Sequence, residues 1–112
     1  MSEVVIEDKG AVRWLTLNRP EVMNAITTDM LSQLNDELKK ADDDPKVRIL
    51  VITGAGKGFC TGLDLKQAAA GEGIGGAGLA SAGARHYSTR EICTVTMQRM
   101  DTPVIAAING PA

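Results

Sequence analysis

The residues best suited to chemistry lie in one glycine-rich run, residues 54–66, which reads GAGKGFCTGLDLK. Glycine occupies positions 54, 56, 58 and 62 of this run, and glycine lets main-chain N–H groups approach a ligand closely or adopt a positive φ. The run follows an almost continuously apolar, β-branched segment at residues 47–53, which is typical of a buried strand in a parallel sheet. A strand that delivers exposed N–H groups into a crevice is suited to stabilising negative charge.

Two common phosphate-binding motifs do not fit this run. The P-loop requires a glycine followed by Lys and then Ser or Thr, and no glycine of the run meets that requirement. The dinucleotide-binding pattern G-x-G-x-x-G fails because its third glycine would fall on Phe59. A formal copy of that pattern at Gly71, Gly73 and Gly76 follows a helix-like segment instead of a strand, so we interpret it as a coincidence of composition.

Three segments of the chain together resemble the crotonase, or enoyl-CoA hydratase/isomerase, family. Residues 54–66 resemble the family signature G-x-G-x-x-F-[CS]-x-G-x-D-[LI]-K, which follows a buried strand. LNRPEVMNAI at residues 17–26 and TPVIAAINGPA at residues 102–112 resemble two further family segments, and the three occur in the family's order. The resemblance implies an α/β fold, a crotonase-like spiral of ββα units of the ClpP/crotonase type, of which this chain would be the N-terminal part.

The resemblance also implies an acyl-CoA thioester as substrate and an oxyanion hole made of two main-chain N–H groups. Such a donor typically contributes about 2.7–4 kcal/mol to transition-state stabilisation. The first donor would be the N–H of Leu63, directly after Gly62, and the second would follow Gly110 by a few residues. The coenzyme A site implied by the resemblance comprises Arg19, Asn24, Ala25, Gly62, Leu63, Asp64, Leu65 and Lys66. Within it, Lys66 and Arg19 would face phosphates.

The activity implied by the resemblance is the hydration of 2-enoyl-CoA, in which the oxyanion hole stabilises an enolate. Isomerase, hydrolase and dehalogenase reactions stay open, as does a non-catalytic crotonase-like module, because the catalytic carboxylates would lie beyond Ala112. Residues 1–112 alone are therefore expected to be inactive. A mononucleotide-binding α/β domain is a further alternative, which the failure of both phosphate motifs weakens. The family implies a homotrimer or hexamer, with no metal and no cofactor besides the coenzyme A of the substrate.

Several polar residues also have simpler interpretations. Asp64 suits the N-cap of a helix that begins at Leu65 better than a general base. Lys66 could be an exposed helix lysine, and Arg19 could form an ion pair within its loop. Cys60 and the single histidine, His86, have no neighbouring sequence pattern that would make them catalytic.

Composition limits the class of protein. With 112 residues, of which 44% are hydrophobic, the chain can form one modest core as a single domain or part of one. A net charge of −2 and an aromatic content of 3% argue against a nucleic-acid partner. No apolar run predicts a membrane span or a secretory signal. Cys60 and Cys93 lack metal-ligand spacing and are expected to be free thiols, which favours the cytoplasm.

The first half of the chain predicts the elements that precede the glycine-rich run. Two β-prone runs, residues 4–6 and 12–17, predict a hairpin with its turn at residues 7–10. Thr27 or Thr28 is expected to cap a helix, which ends in the acidic run of residues 42–44, interpreted as a solvated turn. The apolar stripe of this helix comprises Met30, Leu31, Leu34, Leu38 and Ala41.

The second half is predicted to repeat a strand that runs into a glycine turn. A short helix is expected over residues 65–70, and the Gly-, Ala- and Ser-rich segment within residues 68–84 is expected to be a mobile loop, because it can bury little. A second helix is predicted up to residue 100, with Ile92, Val95, Thr96 and Arg99 on one face and Met97 and Met100 as core filler. Residues 104–108 predict a second buried strand. Since a chain seldom stops beside an interior strand, residues 1–112 are expected to be the front part of a longer domain.

Overall fold

The fold, described from a computed structural model, is a four-stranded mixed sheet with helices packed against it. The structure describes residues 2–62 and 93–112. Its strands are β1 (Val4–Lys9), β2 (Val12–Leu17), β3 (Ile49–Gly54) and β4 (Val104–Ala107), and they lie side by side in chain order. Its helices are a short 3-10 helix (Pro20–Val22), α1 (Thr28–Asp43) and α2 (Cys93–Arg99). Neither α-helix is long and apolar enough to cross a membrane.

The first two strands form the predicted hairpin, with a shorter turn than expected. β1 and β2 are antiparallel and pair from Val4 with Leu17 to Lys9 with Val12. Residues 7–9, predicted as part of the turn, therefore belong to β1, and the turn consists of residues 10 and 11. Gly10 has a φ of +61°, which a two-residue hairpin turn requires and glycine adopts without strain.

Helix α1 begins as the sequence predicts. Thr27 is its N-cap, and the Thr27 hydroxyl oxygen accepts a hydrogen bond from the main-chain N–H of Met30 at 3.0 Å. The predicted stripe is confirmed, with Leu31 only partly buried, and the polar Asn35 is buried with it. This stripe packs on the sheet, whose contribution to the core comprises Val4, Leu15, Leu17, Leu50 and Ile52.

The acidic run at the end of α1 is not merely a solvated turn, so that interpretation was wrong. The helix continues through Asp43, and Asp42 accepts hydrogen bonds from the main-chain N–H groups of Asp101 and Thr102 at 3.0 and 3.1 Å. Asp44 accepts a hydrogen bond from the guanidinium of Arg13 at 3.1 Å. These carboxylates connect the end of α1 to two distant parts of the chain. Their hydrogen bonds are stronger than those between neutral groups, because the acceptor is charged.

The two strands predicted as buried and parallel are parallel, but only one of them is buried. β3 pairs in parallel with both β2 and β4, and its consecutive residues Leu50, Val51 and Ile52 are all buried, as expected for a strand covered on both faces. In β4, by contrast, Ile105 is 51% exposed, and Ile108 just after it is 63% exposed. The prediction of burial was wrong for β4, which is an edge strand within the described part of the chain.

The second helix packs against α1 through a polar contact. The hydroxyl of Thr96 donates a hydrogen bond to the side-chain oxygen of Asn35 at 2.6 Å, and both residues are buried. Met97 and Met100 pack against the core as predicted, whereas Arg99 is exposed and does not share the buried face. The predicted helix at residues 65–70, the mobile loop at 68–84 and the beginning of the second predicted helix lie outside the described residues.

Candidate active site

Three loops meet at one edge of the sheet, because parallel strands end on the same side. We call residues 18–27 the β2 loop, residues 55–62 the β3 loop and residues 108–112 the β4 loop. The β3 loop lies between the other two and carries most of the glycine-rich run. Predicted site residues Arg19, Asn24 and Ala25 lie in the β2 loop, and Gly62 ends the β3 loop.

Asn24 joins the β2 loop to the β3 loop from a fully buried position. Its side-chain amide donates to the carbonyl oxygens of Ala55 at 3.0 Å and Gly58 at 2.8 Å. Its side-chain oxygen accepts from the main-chain N–H of Arg19 at 2.7 Å. Asn24 has a φ of +56°, a conformation that asparagine tolerates better than most residues. The side chain is 0% exposed, and the hydrogen bonds of its amide hold the two loops together.

Asn109 joins the β4 loop to the β3 loop in a similar way. Its side-chain oxygen accepts from the main-chain N–H of Gly54 at 3.1 Å. Its amide donates to the carbonyl oxygens of Gly56 and Gly58 at 3.1 and 3.2 Å. Sequence reasoning treated Asn109 only as part of a glycine turn. The one signal that could have identified it is its place directly after a strand that ends beside β3.

The loops approach each other so closely that a side chain at Gly54 or Gly110 would collide with a main-chain carbonyl. A Cβ atom on Gly54 would lie 2.5 Å from the carbonyl oxygen of Gly58 and 2.7 Å from that of Phe59. A Cβ atom on Gly110 would overlap the carbonyl oxygen of Lys57. The main chains also pair directly, since the N–H of Phe59 donates to the carbonyl oxygen of Pro111 at 2.9 Å. Gly54 and Gly110 are thus needed for close main-chain contact.

The end of the β3 loop is held against the β2 loop. The main-chain N–H of Ile26 donates to the carbonyl oxygen of Gly62 at 2.6 Å, and the hydroxyl of Thr61 donates to the carbonyl oxygen of Met23 at 3.2 Å. Gly62 has a φ of +105°, which glycine alone adopts readily. The predicted oxyanion donor Leu63 and the other predicted site residues after it, Asp64, Leu65 and Lys66, lie outside the described residues.

Arg19 contacts both its own loop and Glu3, which precedes β1. Its guanidinium donates to the carbonyl oxygen of Ala25 at 2.5 Å and lies 3.7 Å from a carboxylate oxygen of Glu3. The other oxygen of Glu3 accepts from the hydroxyl of Thr27 at 2.6 Å. Arg19 thus forms an ion pair, but with Glu3 outside its loop instead of with a residue within it, and its predicted contact with a phosphate stays a prediction.

The two cysteines are free thiols, as predicted. Burial raises the pKa of the Cys93 thiol to about 11, and its sulfur lies 3.3 Å from the carbonyl oxygen of Leu31, within hydrogen-bond distance. A thiol that stays protonated at neutral pH is a poor nucleophile. Cys60 lies in the β3 loop and is partly buried against the core.

The comparisons with known proteins identify the family. The model of the enoyl-CoA hydratase/isomerase family matches residues 7–112. The chain belongs to the enoyl-CoA hydratase/isomerase, or crotonase, family. Its sheet and loops match the fold of this family, as the sequence implied: a crystal structure of an enoyl-CoA hydratase/isomerase from Mycobacterium paratuberculosis superposes with a TM-score of 0.77 at 37% identity. That match covers 100% of this chain and 43% of the other.

Two relatives carry names of different crotonase reactions. The chain is 38% identical to a probable enoyl-CoA hydratase from Mycobacterium leprae, over 100% of this chain and 39% of the relative. It is 45% identical to the human mitochondrial 3-hydroxyisobutyryl-CoA hydrolase over 57% of this chain and 17% of the relative. This crotonase-family chain therefore spans 39% to 43% of the length of the proteins that it matches from end to end.

Proposed function

We propose that the protein is an acyl-CoA-binding enzyme that adds water to 2-enoyl-CoA thioesters. The observation that carries this proposal is the joining of three loops at one edge of the sheet, with Gly62 held by Ile26 at 2.6 Å. Family membership implies a thioester whose carbonyl oxygen gains negative charge during the reaction. A fixed main-chain N–H directed at that oxygen lowers the barrier without reorganisation during the chemical step.

The hydrogen bond at Gly62 supports Leu63 as the first oxyanion donor. The carbonyl and the N–H of one trans peptide unit point in opposite directions. The Gly62 carbonyl faces Ile26 of the β2 loop. We therefore propose that the N–H of the same peptide unit is directed away from the β2 loop and that the thioester oxygen binds on that opposite side. The second donor and the catalytic carboxylates would follow the β4 loop, which Asn109 holds beside the β3 loop.

The proposed coenzyme A site combines the β2 loop with the segment that follows Gly62. We propose that the main chain around Asn24, Ala25, Gly62 and residues 63–65 borders the coenzyme, with Lys66 and Arg19 close to its phosphates. Arg19 is 16% exposed in its side chain and paired with Glu3, so a phosphate would have to compete with that carboxylate. Because a phosphate carries more charge than one carboxylate, such an exchange is feasible.

Alternative crotonase reactions remain as a second candidate. The likeness to a human 3-hydroxyisobutyryl-CoA hydrolase favours hydrolysis of a thioester as the main competitor, since negative charge develops on the same thioester oxygen in both reactions. We further propose that this chain is the N-terminal part of a single crotonase-like domain that works in the cytoplasm as a homotrimer or hexamer.

The proposal is tested with the protein at its full natural length. Hydration of crotonyl-CoA is followed by the loss of enoyl-thioester absorbance, and parallel assays offer a 3-enoyl-CoA and a 3-hydroxyacyl-CoA. Turnover of crotonyl-CoA supports a hydratase, whereas release of free thiol from the hydroxyacyl substrate favours the hydrolase. Thermal protection by acyl-CoA without any turnover would identify a non-catalytic module. Residues 1–112 alone are expected to show no hydratase activity, because they lack the catalytic carboxylates.

A further inference from the structure

Asn24 and Asn109 share one hydrogen-bond acceptor although they belong to different loops. Their amides donate to the same carbonyl oxygen, that of Gly58, at 2.8 and 3.2 Å. Asn24 is fully buried and Gly58 is buried. A carbonyl oxygen has two lone pairs and accepts two hydrogen bonds. We call this pair of residues the asparagine clamp.

The remaining hydrogen bonds of the clamp hold the β3 loop from both sides. On one side, Asn24 also binds the N–H of Arg19 and the carbonyl of Ala55. On the other side, Asn109 also binds the N–H of Gly54 and the carbonyl of Gly56. Each amide thus occupies both its donors and its acceptor on main-chain groups. An element held at several points in this way has few alternative positions.

We propose that Asn24 and Asn109 are positioning residues, which set the β3 loop relative to the two loops beside it and so hold Gly62, at the end of that loop, in place. The inference rests on the proposed function, since it assigns these residues to the geometry of the oxyanion hole. A positioning role differs from direct binding of coenzyme A in its kinetic effect. A positioning role lowers kcat and leaves KM nearly unchanged, whereas a lost contact with the substrate raises KM.

Kinetics of the protein at its full natural length test the positioning role. Asn109→Ala removes three hydrogen bonds of the clamp and is expected to lower kcat about 10- to 100-fold, because a displacement of about 1 Å can cost that much. Asn24→Gly, which suits the positive φ at this position, is expected to do the same. Asn24→Asp keeps the acceptor for the N–H of Arg19 and removes the amide donors. It replaces the glycine variant in the kinetic test if the glycine variant does not fold. An unchanged kcat, or an effect confined to KM, would overturn the proposal.

Thr53→Val is the matched control. The hydroxyl of Thr53 donates to the carbonyl oxygen of Ala107 at 2.8 Å, and thus joins β3 to β4 one residue before Gly54, which contacts Asn109. Its loss removes a hydrogen bond of similar length without touching the clamp. The variant is expected to lower the melting temperature and to leave kcat unchanged. A fall in kcat as large as that of Asn109→Ala would show that any loosening of β4 suffices, and would reject a specific role for the clamp.

A stability cycle tests the clamp independently of the reaction. Either single variant leaves the Gly58 carbonyl with one amide donor, and the double variant leaves it with neither, so a buried acceptor loses its partners. The shift in the denaturant midpoint of the double variant is therefore expected to exceed the sum of the single shifts. Additive shifts would show that the two amides do not act together. If the wild-type protein turned over no acyl-CoA, the proposed function would be wrong. The denaturant midpoints of the cycle would still show whether the two amides act together.

Discussion

The main-chain N–H of Ile26 lies 2.6 Å from the carbonyl oxygen of Gly62, which joins the β2 loop to the end of the β3 loop. This contact fixes the direction of the Gly62 carbonyl. It also requires an unusual main-chain conformation, since Gly62 has a φ of +105°. Among the described residues, no atom would lie within 4 Å of the added Cβ of an alanine at this position. The effect expected from the described part of the chain is therefore strain in the main chain.

Gly62→Ala is expected to lower the free energy of unfolding by about 1–3 kcal/mol, the cost of a strained main-chain conformation, and to reduce hydratase activity strongly. Urea denaturation and steady-state kinetics measure the two effects. Gly10→Ala is the matched control, because Gly10 also has a positive φ and open space around its Cβ position. It should lose about 1–2 kcal/mol with full activity. Equal activity of the two variants would contradict a special role for the Gly62 peptide.

Thr96→Val should destabilise the protein by about 1–3 kcal/mol, because it leaves the buried side-chain oxygen of Asn35 without its hydroxyl donor. Adding Asn35→Leu removes the second polar group, and the double variant should recover most of the loss. Thr94→Val on the exposed face of α2 is the control and should change stability by less than about 0.5 kcal/mol. Chemical denaturation measures all three. A double variant less stable than Thr96→Val would refute the pairing.

Cys93 should make stability fall in alkaline solution. Burial raises the pKa of its thiol from 9.0 to about 11, so folding favours the protonated form. That contribution is complete below pH 9.0 and is lost as the pH rises towards 11. The free energy of unfolding should therefore fall more steeply in this range for the wild type than for Cys93→Ala. Identical slopes would mean that the thiol titrates alike in the folded and unfolded chains.

Asp8 should make stability fall in acid. A hydrogen bond from Arg13 lowers the pKa of this carboxyl below 3.8, so folding favours the carboxylate. The contribution is present above 3.8 and is lost as the pH falls through the lowered pKa. It should be modest, because Asp8 is fully exposed to solvent. Asp8→Asn should flatten the acid limb of a plot of denaturant midpoint against pH, and an unchanged acid limb would contradict this prediction.

Local patterns predicted a large part of the fold. The apolar stripe and the Thr27 N-cap predicted α1, because both depend on residues within one or two turns of each other. The apolar run before Gly54 predicted a buried parallel strand. The same reasoning predicted a buried β4 and was wrong there, since Ile105 is 51% exposed. The composition of a segment predicts a strand, but the elements that pack beside the strand decide whether it is buried.

The polar contacts of the site could not be predicted in the same way. The sequence assigned Asn24 to a coenzyme A site, which stays a prediction, but it did not predict that the side chain lies in the interior, 2.8 Å from the carbonyl oxygen of Gly58. Asn109 had no predicted role. Nor did the sequence predict that Asp42 would accept hydrogen bonds from residues 101 and 102. Each of these side chains binds main-chain groups at sites remote in the chain, which no local pattern describes.

By itself the sequence determined the family and the glycines that close main-chain contact requires, since motif spacing and the absence of a side chain are properties of the chain itself. Only the tertiary structure decided which groups meet those glycines. The two amides that converge on Gly58 come from positions 34 and 51 residues away in the chain. Their meeting depends on the parallel order of β2, β3 and β4, which brings the ends of three strands to one edge.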